Sequence, residues 1–420
     1  MTSREAVRAI WEAALAAGDV DPLVRAHLRL DRGHARVFLL GAGKASGAMT
    51  AAAEDVLGDR VAGGFVVVKD GYGARLRCVE IAEAGHPVPD SRGLAASARL
   101  LELARGAGQD DLIVFLVSGG GSPLTPAPAP PVTVAEKQEL TRLLLASGAT
   151  IGELNAVRKH LSLFKGGQLA RVAWPARVLT LALSDVIGDP LDVIASGPTA
   201  PDPTTFADAL EVLARRGLSA RVPASIARRL EAGRAGEIQE TPKPGDPLFE
   251  RVTNVVIGNN TLVTDAAVAT ARRLGFRADV TTRELQGEAR EVARDFVARA
   301  RRLTPPACLI AGGETTVTVR GQGKGGRCQE FALAAALELR PTDRITILAA
   351  GTDGTDGPTD ATGAIVDAAS VERAAAAGAD ARRALADNDA YGFLRASADL
   401  IVSGPTRTNL LDLYLAVTSA

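Results

Sequence analysis

The side chains best suited to chemistry lie in or beside glycine-rich turns. Lys44 follows GAG in Val37–Gly47, VFLLGAGKASG, where four apolar residues read as a buried strand and the lysine opens a helix. A helix start carries free N–H groups and a partial positive charge, so it seats an anion, and the lysine adds a full charge. The stretch is not GxxxxGK(S/T), because Phe38 stands where the first glycine belongs, and it misses GxGxxG by one residue at Ser46. A tight turn without a ligand is the competing reading. In SGGGS (118–122), Ser118 and Ser122 flank Gly119, Gly120 and Gly121, whose successive N–H groups could form an anion nest or a plain flexible turn. Asp185 and Asp189 of SDVIGDP stand just past a strand, where carboxylates suit Mg2+ completed by substrate phosphates, or cap turns.

A second group lies later in the chain: GGET (312–315), GQGKGGR (321–327) and GTDGTDG (351–357). Lys324 and Arg327 in a mobile glycine-rich loop suit cations that close onto a phosphate; a solvated hairpin tip is the alternative. Asp353 and Asp356 suit a metal, a base or Asx-turns. His27, His34, His86 and His160 form no catalytic set, and no GxSxG supports a hydrolase. Glycine loops, isolated cations and aspartates at strand ends are an inventory for handling anions, of the kind phosphoryl transfer uses.

The elements that position these residues alternate. An amphipathic helix with Ser3 as N-cap opens the chain, and a second is expected over Asp21–Leu30. Strands at 36–40, 64–69, 112–117 and 177–183, with helices at 44–57 and 91–105, read as βαβ units of a parallel sheet covered on both faces. Ligands bind beyond the carboxyl ends of such strands, so GAGK, KDGYG (69–73) and SGGGS are expected to face one crevice. The loop 191–203 is rich in Gly, Pro and Asp and reads as functional. Residues 234–250, with three prolines, mark a boundary, after which α/β alternation resumes.

The totals fit two domains in 420 residues. A net charge of −1 gives no global field for nucleic acid or membrane. Cys78, Cys308 and Cys328 are too few and too scattered for a disulfide framework, and the first helix does not read as a signal peptide, so a soluble, cytoplasmic protein is expected. Seven lysines stand against 41 arginines, yet Lys44, Lys159, Lys165 and Lys324 lie in or near glycine-rich segments, where a compact ammonium is wanted.

These motifs, with EAGHPVPD (83–90), NAVRKHLSLFKGGQLA (155–170), GKGGRCQE (323–330) and GPTRTN (404–409), occur in order nearly end to end. Together they resemble the bacterial and archaeal glycerate 2-kinases with a MOFRL region, a family often confused with hydroxypyruvate reductases. The resemblance implies transfer of the ATP γ-phosphoryl group to the 2-hydroxyl of D-glycerate, with Mg2+ or another divalent cation. It implies a Rossmann-like three-layer α/β domain over 1–240 with a mostly parallel sheet. A smaller α/β domain follows over 241–420, with the MOFRL region at about 305–415 and the active site in the cleft between. Lys44 and Arg327 match active-site positions of the family. Asp189 and Asp353 are the expected catalytic carboxylates, Asp185 and Asp189 the metal ligands, and Ser118–Ser122, Lys324 and Asn409 the nucleotide contacts. Glycerate and nucleotide are the expected partners, without nucleic acid or membrane, and a homodimer stays open. The alternative is an NAD(P)H-dependent hydroxypyruvate reductase with Asp70 on the ribose. One departure stands out: the family pattern GPTGTNVNDL reads GPTRTNLLDL here, with Arg407 for glycine and Leu411 for asparagine.

Overall fold

Six strands build the first sheet of a computed structural model that describes residues 1–29 and 33–419. They are β1 (Val37–Ala42), β2 (Val61–Lys69), β3 (Glu80–Ala84), β4 (Leu112–Val117), β5 (Arg177–Leu183) and β6 (Val252–Gly258), in the order β3-β2-β1-β4-β5-β6. The first four neighbouring pairs are parallel. Every residue of β4, LIVFLV, is buried, as a strand covered on both faces requires. β3 was not expected from the sequence: EIAEA is short, carries two glutamates and forms the half-exposed edge. The order reverses between β1 and β4, so the turns leaving these two strands flank the switch point where such sheets bind ligands.

Between β4 and β6 the chain adds helices Val134–Ala146, Ile151–His160, Phe206–Arg215 and Ala224–Arg234. Three of them start in capping boxes, Thr133 with Glu136, Thr150 with Glu153 and Thr205 with Asp208. Their apolar faces meet in a separate core that includes Leu144, Val157, Phe206 and Leu230.

The second sheet is mixed. It comprises β7 (Arg277–Leu285), β8 (Ala307–Gly313), β9 (Ile345–Gly351), β10 (Gly363–Asp367), β11 (Leu400–Ile401) and β12 (Asp412–Thr418), in the order β11-β10-β9-β12-β8-β7. Only β7 and β8 run parallel among the pairs of this sheet. The terminal apolar run is thus a central strand, buried at all seven positions.

By packing, the two units are Val20–Ile257, and Met1–Asp19 with Gly258–Ala420. The boundary expected at 240/241 moves to 257/258, because β6 extends the first sheet. The helix Ser3–Ala17 joins the second unit. Val7, Ile10 and Trp11 are buried, and Arg4 reaches Asp367 at 2.5 Å and Asp399 at 2.8 Å. Its cap is Thr2, not Ser3, in a box with Glu5. The next helix spans Val20–His27, and the expected end at Leu30 lies outside the described residues. Among the described residues no helix is long and apolar enough to cross a membrane.

Candidate functional site

At the switch point the two glycine turns are bonded to each other. The Lys44 N–H donates to the Gly119 carbonyl (2.9 Å), and the Ala45 N–H donates to Ser118 Oγ (2.9 Å). Gly43 has φ +138°, and a Cβ there would lie 2.3 Å from Ser118 Oγ, so only glycine lets the turns approach. The helix begins at Ser46, leaving Lys44 in the turn before it. Ser118 is fully buried, and its carbonyl also accepts from the Gly121 N–H (3.2 Å). It braces the two turns from a position closed to solvent, whereas its expected role is a nucleotide contact. Gly119 and Gly121 are buried too, which leaves Gly120 and Ser122 as the parts of SGGGS that reach the surface. A Cβ at Gly120 would lie 3.1 Å from the His86 ring and 3.5 Å from Lys44 Cγ, so these three residues share a corner.

Ser122 anchors a cluster of cations that the sequence reading largely missed. Its Oγ accepts from Arg158 Nη2 (2.6 Å) and Lys165 Nζ (3.0 Å), and Lys165 Nζ also donates to the Ser122 carbonyl (2.6 Å). Ser122 Oγ lies 3.1 Å from Ser196 Oγ, which donates to Asn155 Oδ1. Lys137 Nζ donates to the Pro126 carbonyl (2.7 Å). Lys137, Arg158, Lys165 and Ser122 line a cavity of about 390 Å³. No carboxylate among the described residues pairs with any of the three cations. Burial, and then repulsion from the neighbouring cations, push Lys137 and Lys165 well below the usual lysine value; burial brings Arg158 down to about 10. Ala195 (φ +49°) and Ser196 (φ +64°) adopt left-handed backbone beside this cluster, strain that accords with the functional reading of the 191–203 loop. The glycine-rich setting of Lys165 was the one signal in the sequence; Arg158 and Lys137 lie on ordinary helices.

Lys159 resolves differently. It is buried and paired with Asp192 (3.0 Å) and Asp202 (3.4 Å), so its role is structural. Asp185 and Asp189 are half-buried on the loop leaving β5, Asp189 at φ +55°. As hard oxygen donors they fit the one or two carboxylates that magnesium takes when nucleotide phosphates complete its shell. Among the described residues no group of three His, Cys, Asp or Glu makes a protein-only site. Asp70 meets Arg92 through both oxygens, at 2.6 and 2.8 Å, so the ribose-binding role of the reductase alternative would have to break that pair.

In the other unit, Arg327 begins the helix Arg327–Glu338 and forks onto Asp412 (2.6 and 2.9 Å), with Nη1 2.5 Å from Glu314. Burial disfavours its charge, but Asp412 and Glu314 more than offset this and hold it protonated. Asp412 is buried and also accepts from the Tyr414 hydroxyl (3.1 Å). Asp356 accepts from the N–H groups of Cys328 (3.2 Å) and Gln329 (2.8 Å), capping this helix. Burial pushes its carboxyl up to about 7, although those N–H bonds pull the other way. Asp353 Oδ1 accepts from the Thr355 N–H (3.1 Å), which is the Asx-turn. A Cβ on Gly351 would lie 3.2 Å from Asp412 Oδ1 and 3.4 Å from Asp353 Oδ1, so both carboxylates border one spot.

The GQGKGGR loop is pinned, not mobile as its glycines suggested. Asn388 Oδ1 accepts from Arg320 and Gly321, and the Asp387 carbonyl accepts from Gly323. The glycines permit that contact, since a Cβ at Gly321 would lie 2.3 Å from the Asp387 carbonyl oxygen. The Lys324 ammonium sits 4.8 Å from the Tyr391 ring centroid. Asn409 is buried. Arg407 (φ +62°) and Leu411 (φ +67°) both adopt left-handed backbone, which explains why glycine and asparagine suit these two positions.

Two family models match the chain: a domain of unknown function, DUF4147, over residues 6–231 and the MOFRL family over 307–412. A D-glycerate 2-kinase of Thermotoga maritima is 45% identical over 91% of this chain and 90% of that protein. A crystal structure of glycerate kinase from Thermotoga maritima superposes with a TM-score of 0.87 at 42% identity, covering 99% of each chain. An Agrobacterium vitis protein, named provisionally as a hydroxypyruvate reductase, is 41% identical over 98% of this chain and 94% of its own length.

Proposed function

The chain belongs to the MOFRL-type glycerate 2-kinase family, and from that premise we propose that it transfers the γ-phosphoryl group of ATP to the 2-hydroxyl of D-glycerate, giving 2-phosphoglycerate and ADP. The observation that carries this reading is the Ser122 cluster, where three cations converge on a cavity with no pairing carboxylate among the described residues. A polyanionic substrate supplies the missing negative charge. A dinucleotide pyrophosphate would also suit such cations, but the candidate ribose ligand of a hydride-transfer enzyme, Asp70, is held by Arg92.

The chemistry asks chiefly for positioning and charge neutralisation. Lys44, beside Gly120 and His86, is the group for the transferring phosphoryl or the glycerate carboxylate. Arg327 is the fixed guanidinium for the equatorial oxygens, kept charged and aimed by Asp412 and Glu314. Asp189 or Asp353 orients the attacking hydroxyl. Asp185 and Asp189 would hold the divalent cation, which when bound neutralises charge between nucleotide phosphates. Lys324 sits against Tyr391 and supports the loop electrostatically. Cytoplasmic location belongs to the same proposal and accords with three free thiols.

Incubation with D-glycerate and Mg-ATP, with ADP and the phosphoglycerate isomer measured, tests the reading. Formation of 2-phosphoglycerate is expected. Hydroxypyruvate-dependent NADH oxidation without ADP release would replace it with the reductase.

A further inference from the structure

The cavity at Ser122 is built for more than a small hydroxy acid. Its floor is cationic, from Lys137, Arg158 and Lys165, but most of its wall is apolar, and Val88 and Leu145 stand at the rim 65% and 62% exposed. At about 390 Å³ it lies within the roughly 300–1000 Å³ of sites that enclose a ligand of many heavy atoms. A three-carbon acid would satisfy one or two cations and leave the apolar wall in contact with water. A ligand with several negative charges at one end and a flat, weakly polar body at the other satisfies both surfaces.

We propose that this cavity seats the nucleotide, with the triphosphate on Ser122, Arg158 and Lys165, and the nucleoside against Val88 and Leu145. The proposal rests on the kinase reading for the identity of the anion, and it assigns that anion a place. Three observations carry it. The cations are held in position by neutral acceptors, Ser122 and the Pro126 carbonyl, so their charge is not cancelled before a ligand arrives. Lys137 and Lys165 are buried, which makes them costly to keep in the absence of an anion. Ser122 is the end of SGGGS nearest the surface, so a triphosphate resting there extends from the turn shared with Lys44. Burial and repulsion from neighbouring cations lower both lysines, and a polyanion bound beside them opposes that shift.

Calorimetric titration with Mg-ATP, together with separate KM values for ATP and glycerate, tests the assignment in two variants. Leu145→Glu alters an exposed rim residue and leaves the fold alone. Lys165→Met removes a buried cation and replaces it with an apolar chain of similar length. Lys165→Met is expected to weaken ATP binding by about tenfold to a hundredfold, the usual loss for a charge-assisted contact, and Leu145→Glu by about tenfold through the lost apolar contact with the nucleoside, each with the KM for glycerate within about twofold of wild type. Unchanged ATP affinity in Leu145→Glu, or a rise in the KM for glycerate instead, overturns the assignment while the kinase reading stands. A wild-type protein that binds ATP with the expected sensitivity to both variants, yet leaves glycerate unphosphorylated, overturns the kinase reading and retains the nucleotide seat.

Discussion

Arg407→Gly should stabilise the second unit, although it deletes a large side chain. Arg407 is exposed and sits at φ +62°. Left-handed backbone costs an L-residue about 1–2 kcal/mol, and glycine returns about 0.5–1 kcal/mol of that through its greater freedom when unfolded. The net gain is about 0.5–1 kcal/mol. For a unit of this size, about 2–4 °C of melting temperature accompanies each kcal/mol, so calorimetry should show a rise of about 1–4 °C. Leu411→Asn relieves the same strain at φ +67°, but Leu411 is only 4% exposed. Losing that buried side chain costs about 2–5 kcal/mol, so this variant should melt lower. The two departures from the family pattern therefore carry opposite signs. Arg407→Ala is the control, because alanine is strained there too and should be close to neutral. A gain in Arg407→Ala equal to that in Arg407→Gly, or no gain in either, would refute the argument from backbone strain.

Arg327→Met should lower turnover by about a thousandfold and stability by about 3 kcal/mol, since it strands the buried Asp412. Adding Asp412→Asn should restore most of the stability, read by urea denaturation, and none of the turnover. Asp356 is raised from the ordinary 3.8 to about 7, so its proton stabilises the fold below pH 4 and that contribution is lost as pH rises through 7. The shift is worth up to about 4 kcal/mol; Asp356→Asn should gain on wild type between pH 5 and 8, and parallel pH profiles of the urea midpoint would contradict this. Lys44→Ala should lose at least about a thousandfold in kcat while the fold is retained, because the Gly43–Ser118 packing rests on backbone and Ser118 atoms.

Sequence pattern located the strands that are apolar or nearly so, Leu112–Val117 throughout and Arg177–Leu183 apart from Arg177 and Thr180, because burial on both faces favours such short runs. Glu80–Ala84 and Gly363–Asp367 escaped. The first alternates like a surface segment; the second lies among glycines, and its pairing with β9 is a tertiary matter. At the candidate site, glycine clusters marked the turns correctly but said little about which atoms face outward. Ser118 and Ser122 look equivalent in SGGGS, yet one is buried against Ala45 and the other collects two cations. The glycines of GQGKGGR suggested motion where they serve close approach to Asp387. Arg158 lies in the motif NAVRKHLSLFKGGQLA, but nothing in its immediate neighbours marks it as a ligand group. Its meaning comes from a helix placed against the β4 turn, a contact no window of sequence contains.

The helix Ser3–Ala17 has a consequence for synthesis. It packs with Asn260–Arg273 and β12, so its partners leave the ribosome at least about 240 residues after it does. At about 5–20 residues per second, Val7, Ile10 and Trp11 wait some 12–50 s without their native cover. Meanwhile Val20–Ile257 can complete its own sheet, since all six strands are then present. A nascent chain thus carries a finished unit preceded by a greasy, unclaimed helix, the kind of segment that chaperones hold and that proteases and other nascent chains find first.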